Sequence, residues 1–320
     1  MNMRGREFTR RSFGWICAGG LFAGGRVLRA KEAAPLTWAV VPDSKVGTVR
    51  RYRADAQVIL LSIPVLHRNG VGDGSAIWRE STAEEGVAIR LLEFTGRSAP
   101  EHAAGLNRFG FIQELSRTVG GMYAESIYFG MMTSSPEENA AEARKALHSN
   151  AKEIPFSAIE ARIAGRCIES TAAHFTAPAR TSAADRGTLI ECARQALSGA
   201  PKMKEDLHTV EPTPRPFLHA LANLLSCPND SQAEYAYNSH VYSLRVKRSA
   251  DPKAAAAFRE QHLIPPAANV TRISGTLCRQ NGGKPIDFKL WIEEGAAQPL
   301  PLRIEYQPKP YLRLTFEALA

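Results

Sequence analysis

The stretch from Val270 to Ala318 constrains the fold most. Ile286, Phe288, Leu290 and Ile292 alternate with Asp287, Lys289, Trp291 and Glu293. Leu302, Ile304 and Tyr306 alternate in the same way, as do Leu312, Leu314 and Phe316. A period of two places successive side chains on opposite faces of a strand, so each segment reads as half-buried β-structure. The intervening NGGK, GAAQP and PKP are turn chemistry and too short for crossovers. Adjacent strands joined this way form an antiparallel meander with one buried and one solvated face.

Similar patterning opens the body of the chain. Tyr52, Ala54, Ala56, Val58 and Leu60 alternate within Thr48–Leu66, which predicts one strand. Asn69–Gly74 (NGVGDG) predicts the hairpin turn after it. SAIWRE and GVAIRLLEF predict further strands, and Gly120-Gly121 centres another hairpin. The middle reads differently. Ser135, Pro136 and Glu138 suggest a capped helix start, and Phe156–Phe175 a possible strand pair. Leu189, Cys192, Ala193, Ala196 and Leu197 form one helical face within 183–198. Phe217, Leu218, Leu221, Leu224 and Leu225 form another, and DPKAAAAFREQH predicts a short helix with Pro252 in its first turn. Residues 201–214 read as a loop, and Glu234–Arg248 as a hairpin or long strand. The expected architecture is α+β: a curved antiparallel sheet built from N- and C-terminal strands, in one domain over 46–320, with a helical insertion at about 136–262.

Charge argues about destination and partners. The chain carries +8, but residues 1–30 hold six arginines and one glutamate, or +5. The remainder has 34 basic against 31 acidic residues, leaving +3. A body so nearly balanced lacks the basic footprint of a nucleic-acid-binding protein. No apolar run reaches the length of a spanning helix, so no membrane span is expected in the mature chain. Thr9-Arg10-Arg11-Ser12-Phe13, then a short glycine-rich apolar segment and Arg26, resembles a twin-arginine export signal. Gly14-Trp15 replaces the usual Leu-Lys, and Leu28-Arg29-Ala30 is the best cleavage candidate. The resemblance implies a signal peptide over 1–30 carried by Arg10, Arg11 and Phe13, a linker over 31–45, the twin-arginine translocase as partner during export, and a periplasmic or secreted protein. The C-terminal GKPIDFKLWIEEGAAQPLPLRIEY resembles the last hairpins of uncharacterised bacterial periplasmic β-rich proteins. More distantly it is similar to the curved sheets of lipoprotein-carrier-like folds. That resemblance implies an apolar ligand held on a concave face, or an envelope partner.

Four cysteines remain after the signal: Cys167, Cys192, Cys227 and Cys278. An even count in an oxidising compartment allows disulfides, with Cys167–Cys192 and Cys227–Cys278 the favoured pairing and four free thiols the alternative. No Cys-x-x-Cys, His-x-x-x-His, Gly-x-Ser-x-Gly or P-loop pattern occurs, so no cofactor, metal or catalytic residue is assigned. GLNRFGFIQE and YFGMMTSSPEE are the most distinctive strings. Asn107 and Arg108 beside Gly105 and Gly110, and Phe129, Met131 and Met132 beside Gly130, are candidate ligand contacts. Strand punctuation and plain core packing compete with that role. A non-catalytic binding protein is the leading expectation. The alternatives are a hydrolase assembled from His67 or His174 with Asp73 and Arg108, and a partner-binding protein that adds a strand at an exposed edge of the meander.

Overall fold

The computed structural model describes residues 35–40, 47–60, 63–82, 86–134, 139–178, 186–206, 214–237, 240–279, 285–309 and 311–320. The expected signal residues Arg10, Arg11 and Phe13, and the helix-start residues Ser135, Pro136 and Glu138, lie outside them. Leu36–Ala320 forms one compact unit.

One antiparallel meander dominates. It runs β1 (Gly47–Leu60), β2 (Ile63–Thr82), β3 (Val87–Ser98), β4 (Phe109–Val119), β5 (Met122–Thr133), β6 (Glu153–Ala164), β7 (Cys167–Pro178) and β8 (Lys202–Asp206). After the two-residue β9 (Arg215–Pro216) it continues as β10 (Ser231–Tyr237), β11 (His240–Ala250), β12 (Val270–Arg279), β13 (Ile286–Glu293), β14 (Arg303–Lys309) and β15 (Leu312–Ala318). Pairing joins the two runs into one 15-stranded sheet, ordered β8 through β1, then β15 down to β9. The seam is β1 against β15, from Tyr52↔Ala318 to Val58↔Leu312. The expected α+β class, a sheet of N- and C-terminal strands with a helical middle, is therefore corrected: β1 and β15 do pair, but the sheet takes its strands from the whole described chain. The middle carries β6 to β11, and its helices are α1 (Ala140–Ala146), α2 (Arg186–Ser198), α3 (Phe217–Ser226) and α4 (Pro252–Glu260). Strand outweighs helix because Ile154, Phe156 and Ala158 alternate along one face of β6, while Ala161 and Ile163 on its other face pair with Ser170 and Ile168 of β7, and both rows are buried.

Two local expectations fail instructively. Asn69–Gly74 is not a hairpin turn but the interior of β2, and β1 and β2 pair out to Leu60↔Ile63. The glycines serve a bulge: the register slips between Ala54 and Ala56, and Gly70 takes φ +61°. Gly74 also lets the Phe316 ring lie against the strand, where an added Cβ would sit 3.2 Å from it. Within the expected linker, Leu36 is buried on β3–β5 with Ile89, Leu91, Leu115 and Ile127, and its N–H donates to the Glu125 carboxylate. The Trp38 indole donates to Glu160 at 2.9 Å, so this segment docks on the sheet.

The sheet curls. The Tyr128 ring on β5 stacks on Tyr237 on β10 at 6.1 Å, and the Arg215 guanidinium on β9 lies over the Tyr123 ring. The β9–β10 edge thus reaches the wall at β5, and β6–β8 continue past it. Cross-strand partners share a face, which defines an inner and an outer surface. Outside, α2 buries Leu189, Ala193 and Leu197 against Phe111, Phe129, Met131 and Phe156, and α4 buries Phe258 against Val270, Trp291 and Leu302. Asp251 caps α4 through Ala254 N–H and also accepts the Trp291 indole N–H at 2.9 Å.

Candidate functional site

Inside the curl lies α3. Its sequence, FLHALANLLS, contains no charged residue, so it has no face suited to water. Ala220, Leu224 and Leu225 pack on Tyr235, Leu244, Ile273 and Leu290, while Ala222 and Leu218 pack on Tyr52, Trp78 and Leu92. The sheet therefore covers α3 on two sides. Both ends of the helix are satisfied by the wall, the N-terminal one out of solvent and the C-terminal one beside the exposed Ser226 and Cys227. At the N-terminus the fully buried Glu114 carboxylate on β4 accepts Leu218 N–H at 2.8 Å and His219 N–H at 2.9 Å. The same carboxylate meets His219 Nδ1 at 2.9 Å, and His219 Nε2 faces the Arg90 carbonyl at 3.3 Å. The ring is thus held between an acceptor on β4 and an acceptor on β3. At the C-terminus Arg248 Nη2 donates to the Leu224 and Leu225 carbonyls at 2.6 and 2.9 Å.

Beyond α3 the inner face stays open. Phe94 on β3, Leu277 on β12, Tyr306 on β14 and Phe316 on β15 pack at the margin of the clusters that hold α3, and Ala56 and Val58 on β1, Ile112 on β4 and Leu312 and Leu314 on β15 follow; each is only half-buried. Their registers place them on the surface that carries Tyr52, Leu92 and Glu114. Gly74, Gly96 and Gly110 face one another across β2, β3 and β4 and form a trough in this surface. Phe316 fills the trough at Gly74 and Gly96, with its ring edge-on to Phe94 at 5.7 Å, and a Cβ on Gly110 would meet nothing within 4 Å. Tyr235, Tyr237 and Tyr306 have their phenol pKa values raised by burial and stay neutral, so this surface adds hydroxyl donors without charge. The arrangement suits an elongated apolar group with a polar atom at one end.

The candidate contacts named from sequence do not converge. Met132 is on the inner face opposite Gly110, 53% exposed, at the open end. Phe129 and Met131 point the other way and are core under α2. Asn107 donates its backbone N–H to the Leu147 carbonyl, and Arg108 donates its own to Ser98 Oγ, so both belong to the β3–β4 connection. Burial lowers the Arg108 pKa below its ordinary value. Gly105 does take a left-handed φ of +76°, with His148 seated where its Cβ would be. Strand alternation decides such cases, since Met131 and Met132 are neighbours in sequence on opposite sides of a wall.

Neither expected disulfide forms, and all four cysteines are free thiols. β8 runs from Lys202↔Thr171 to Asp206↔Cys167, so Cys167 lies at its far end from α2 and Cys192. Cys227 ends the inner helix, whereas Cys278 alternates with the inward Leu277 and faces out. The hydrolase residues are separately engaged. Arg97 Nε holds Asp73 at 2.8 Å, Ser157 Oγ holds His174 Nδ1 at 3.0 Å, and His67 is exposed opposite Gln57. Among the described residues no cluster of metal ligands occurs. The meander offers no free edge, because β12–β15 are paired on both sides. The edge strand β8 is exposed and charged at Lys202, Lys204, Glu205 and Asp206, which blunts strand addition.

No family model matches the chain, and no curated protein matches it. Among solved structures it is similar to a β-barrel-like protein of the domain of unknown function DUF1849 from Brucella abortus. The identity is 7%, the match covers 86% of this chain and 96% of that one, and the TM-score is 0.46. So loose a likeness carries neither fold nor function across. Sequence reasoning missed Glu114 and His219 as a pair, since they lie 105 residues apart. The uncharged run of α3 was the available signal that a helix would be enclosed and its ends held by the wall.

Proposed function

We propose that this chain is an exported periplasmic binding protein, without catalytic activity, that holds an elongated apolar molecule against the open half of its inner face. The observation that carries the reading is the row of half-buried apolar side chains, Val58, Ile112, Leu312 and Leu314, beyond the clusters in which α3 packs. A monomer does not ordinarily leave a concave apolar surface of this kind without a use for it. Export rests on the arginine pair and the segment after it.

The test is binding of a dansyl-labelled fatty acid to the purified chain, with native mass spectrometry of the protein as isolated. Gly110→Phe directs a ring into the trough where a Cβ meets no atom. It is expected to keep the fold and weaken probe binding by about tenfold or more, the effect of removing the contact surface of a few methylenes. Gly110→Ala is expected to bind as the parent does. A folded Gly110→Phe protein with unchanged affinity, or a parent that takes up no probe, would refute the reading.

A further inference from the structure

The open half of the inner face ends in a polar lip where β3, β4 and β5 meet it. The β3–β4 pairing runs one step past β4: Ser98 N–H donates to the Arg108 carbonyl at 2.8 Å, and Arg108 N–H donates to Ser98 Oγ at 2.7 Å. Gly110, Ile112 and Glu114 lie on the inner face, and Phe109 lies under α2. Alternation therefore turns Arg108 to the inner face, one step beyond the trough at Gly110. On β5 the register that sets Met132 opposite Gly110 brings Ser134 opposite Arg108. Ser134 Oγ lies 2.6 Å from Ser157 Oγ, and Ser157 Oγ lies 3.0 Å from His174 Nδ1. The backbone of Arg108 is thus committed to the connection, while its side chain leaves the chain beside the trough.

This lip holds a guanidinium and hydroxyls and, among the described residues, no acid. Asp73 on β2 is taken by Arg97 on the outer face. Arg108 reaches solvent, yet its surroundings take enough water from the guanidinium to lower its pKa, and no charge of either sign offsets that loss. An anion completes such a group, because a guanidinium holds a carboxylate or phosphate through two parallel N–H donors. We propose that the apolar molecule bound on the inner face carries an anionic head, a carboxylate or a phosphate, and that Arg108 receives this head at the lip. The proposal rests on the inner-face reading above and adds the ligand's charge and its direction. The tail lies over Gly110 and Ile112, and the head stays at the lip, within reach of water. A neutral hydrocarbon would use the same surface and leave Arg108 without a partner.

The experiment uses the full chain and reads displacement of the neutral fluorophore N-phenyl-1-naphthylamine. The competitors are dodecanoic acid, dodecyl phosphate and dodecanol, which share one tail, at about pH 8, where a carboxylic acid is ionised. At least one of the two anions is expected to displace the probe at about tenfold lower concentration than dodecanol, the weight of one charge-assisted contact. The stronger of the two identifies the head. Arg108→Gln is expected to remove that advantage and to leave displacement by dodecanol as in the parent, and Arg108→Lys to keep part of it. Arg97→Gln, on the outer face of the same connection, is expected to keep it whole. Sodium chloride at about 0.5 M is expected to shrink the advantage in the parent, since a contact at the lip is screened. Thermal unfolding reports that each variant is folded. Equal potency of the three competitors on the parent, an advantage that persists in folded Arg108→Gln, or one indifferent to salt would overturn the proposal and leave the inner-face reading standing. A parent that takes up no probe would overturn both.

Discussion

Replacing Glu114 by alanine strikes the joint between the inner helix and its wall. The carboxylate is fully buried and accepts from Leu218 N–H at 2.8 Å, His219 N–H at 2.9 Å and His219 Nδ1–H at 2.9 Å. Removing it strands two backbone donors at a helix N-terminus and takes from the His219 ring its partner on β4. Hydrogen bonds to a charged group are worth about 1.5–3 kcal/mol each, and the loss of all three acts through one carboxylate, so about 4 kcal/mol is expected. That is about a quarter or more of the roughly 5–15 kcal/mol that holds a typical domain folded. With a urea m-value near 3 kcal/mol/M, the unfolding midpoint should fall by about 1 M. The buried Trp78, which shares a core cluster with α3, reports the transition by fluorescence. The companion experiment is Glu114→Leu with His219→Leu. Two apolar side chains leave neither polar side chain without its partner, so the double variant should be more stable than the sum of the single costs predicts, by about 2 kcal/mol. A midpoint within about 0.3 M of the parent for Glu114→Ala, or single costs that simply add, would refute the assignment of Glu114 and His219 as a coupled pair.

Other outcomes follow from the same geometry. The Trp291 indole N–H and the Ala254 backbone N–H hold the Asp251 carboxyl below its ordinary pKa. Its contribution is therefore complete above the unfolded-state value of about 3.9 and is lost as pH falls through the lower folded-state value. Asp251→Asn should lower the melting temperature at pH 7, and its difference from the parent should shrink on acidification below about pH 4. A difference that stays constant with pH would remove the carboxylate from the account. Arg10→Lys with Arg11→Lys should retain the protein in the cytoplasm of a bacterial host, measured by fractionation, if residues 1–30 are a twin-arginine signal. The Gly110→Phe variant tests the inner face independently of the export signal.

Much of the sheet was legible. β12–β15 show a strict period of two with polar turns between them, and local pattern suffices where a strand has one wet face and one dry face. β4–β5 around Gly120-Gly121 and α4 behind Pro252 were legible for the same local reason. The turn at Asn69–Gly74 was misread because glycine serves a bulge and the approach of Phe316 as readily as a hairpin, and only the pairing partner distinguishes these uses. The apolar residues of α3 were seen as one stripe. The helix is in fact covered on two sides, and no helical pattern by itself tells a half-buried helix from an enclosed one. Met131 and Met132 illustrate the limit at the candidate site: composition nominated both, and the direction of one pleat separated them.

The sequence by itself determined that the chain is rich in antiparallel strands, that its excess of positive charge is concentrated before residue 31, and that α4 begins behind Asp251 and Pro252. These are local properties, set by side-chain period, capping and composition within a few residues. Tertiary structure alone decided that β1 joins β15, that the sheet curls around α3, and that Glu114 meets His219 across 105 residues. It also decided which apolar side chains remain half-exposed at the open end. Those outcomes depend on the twist and closure of fifteen strands acting together. A single side chain constrains that closure only weakly, so the surface proposed to bind could be located only once the whole sheet was in view.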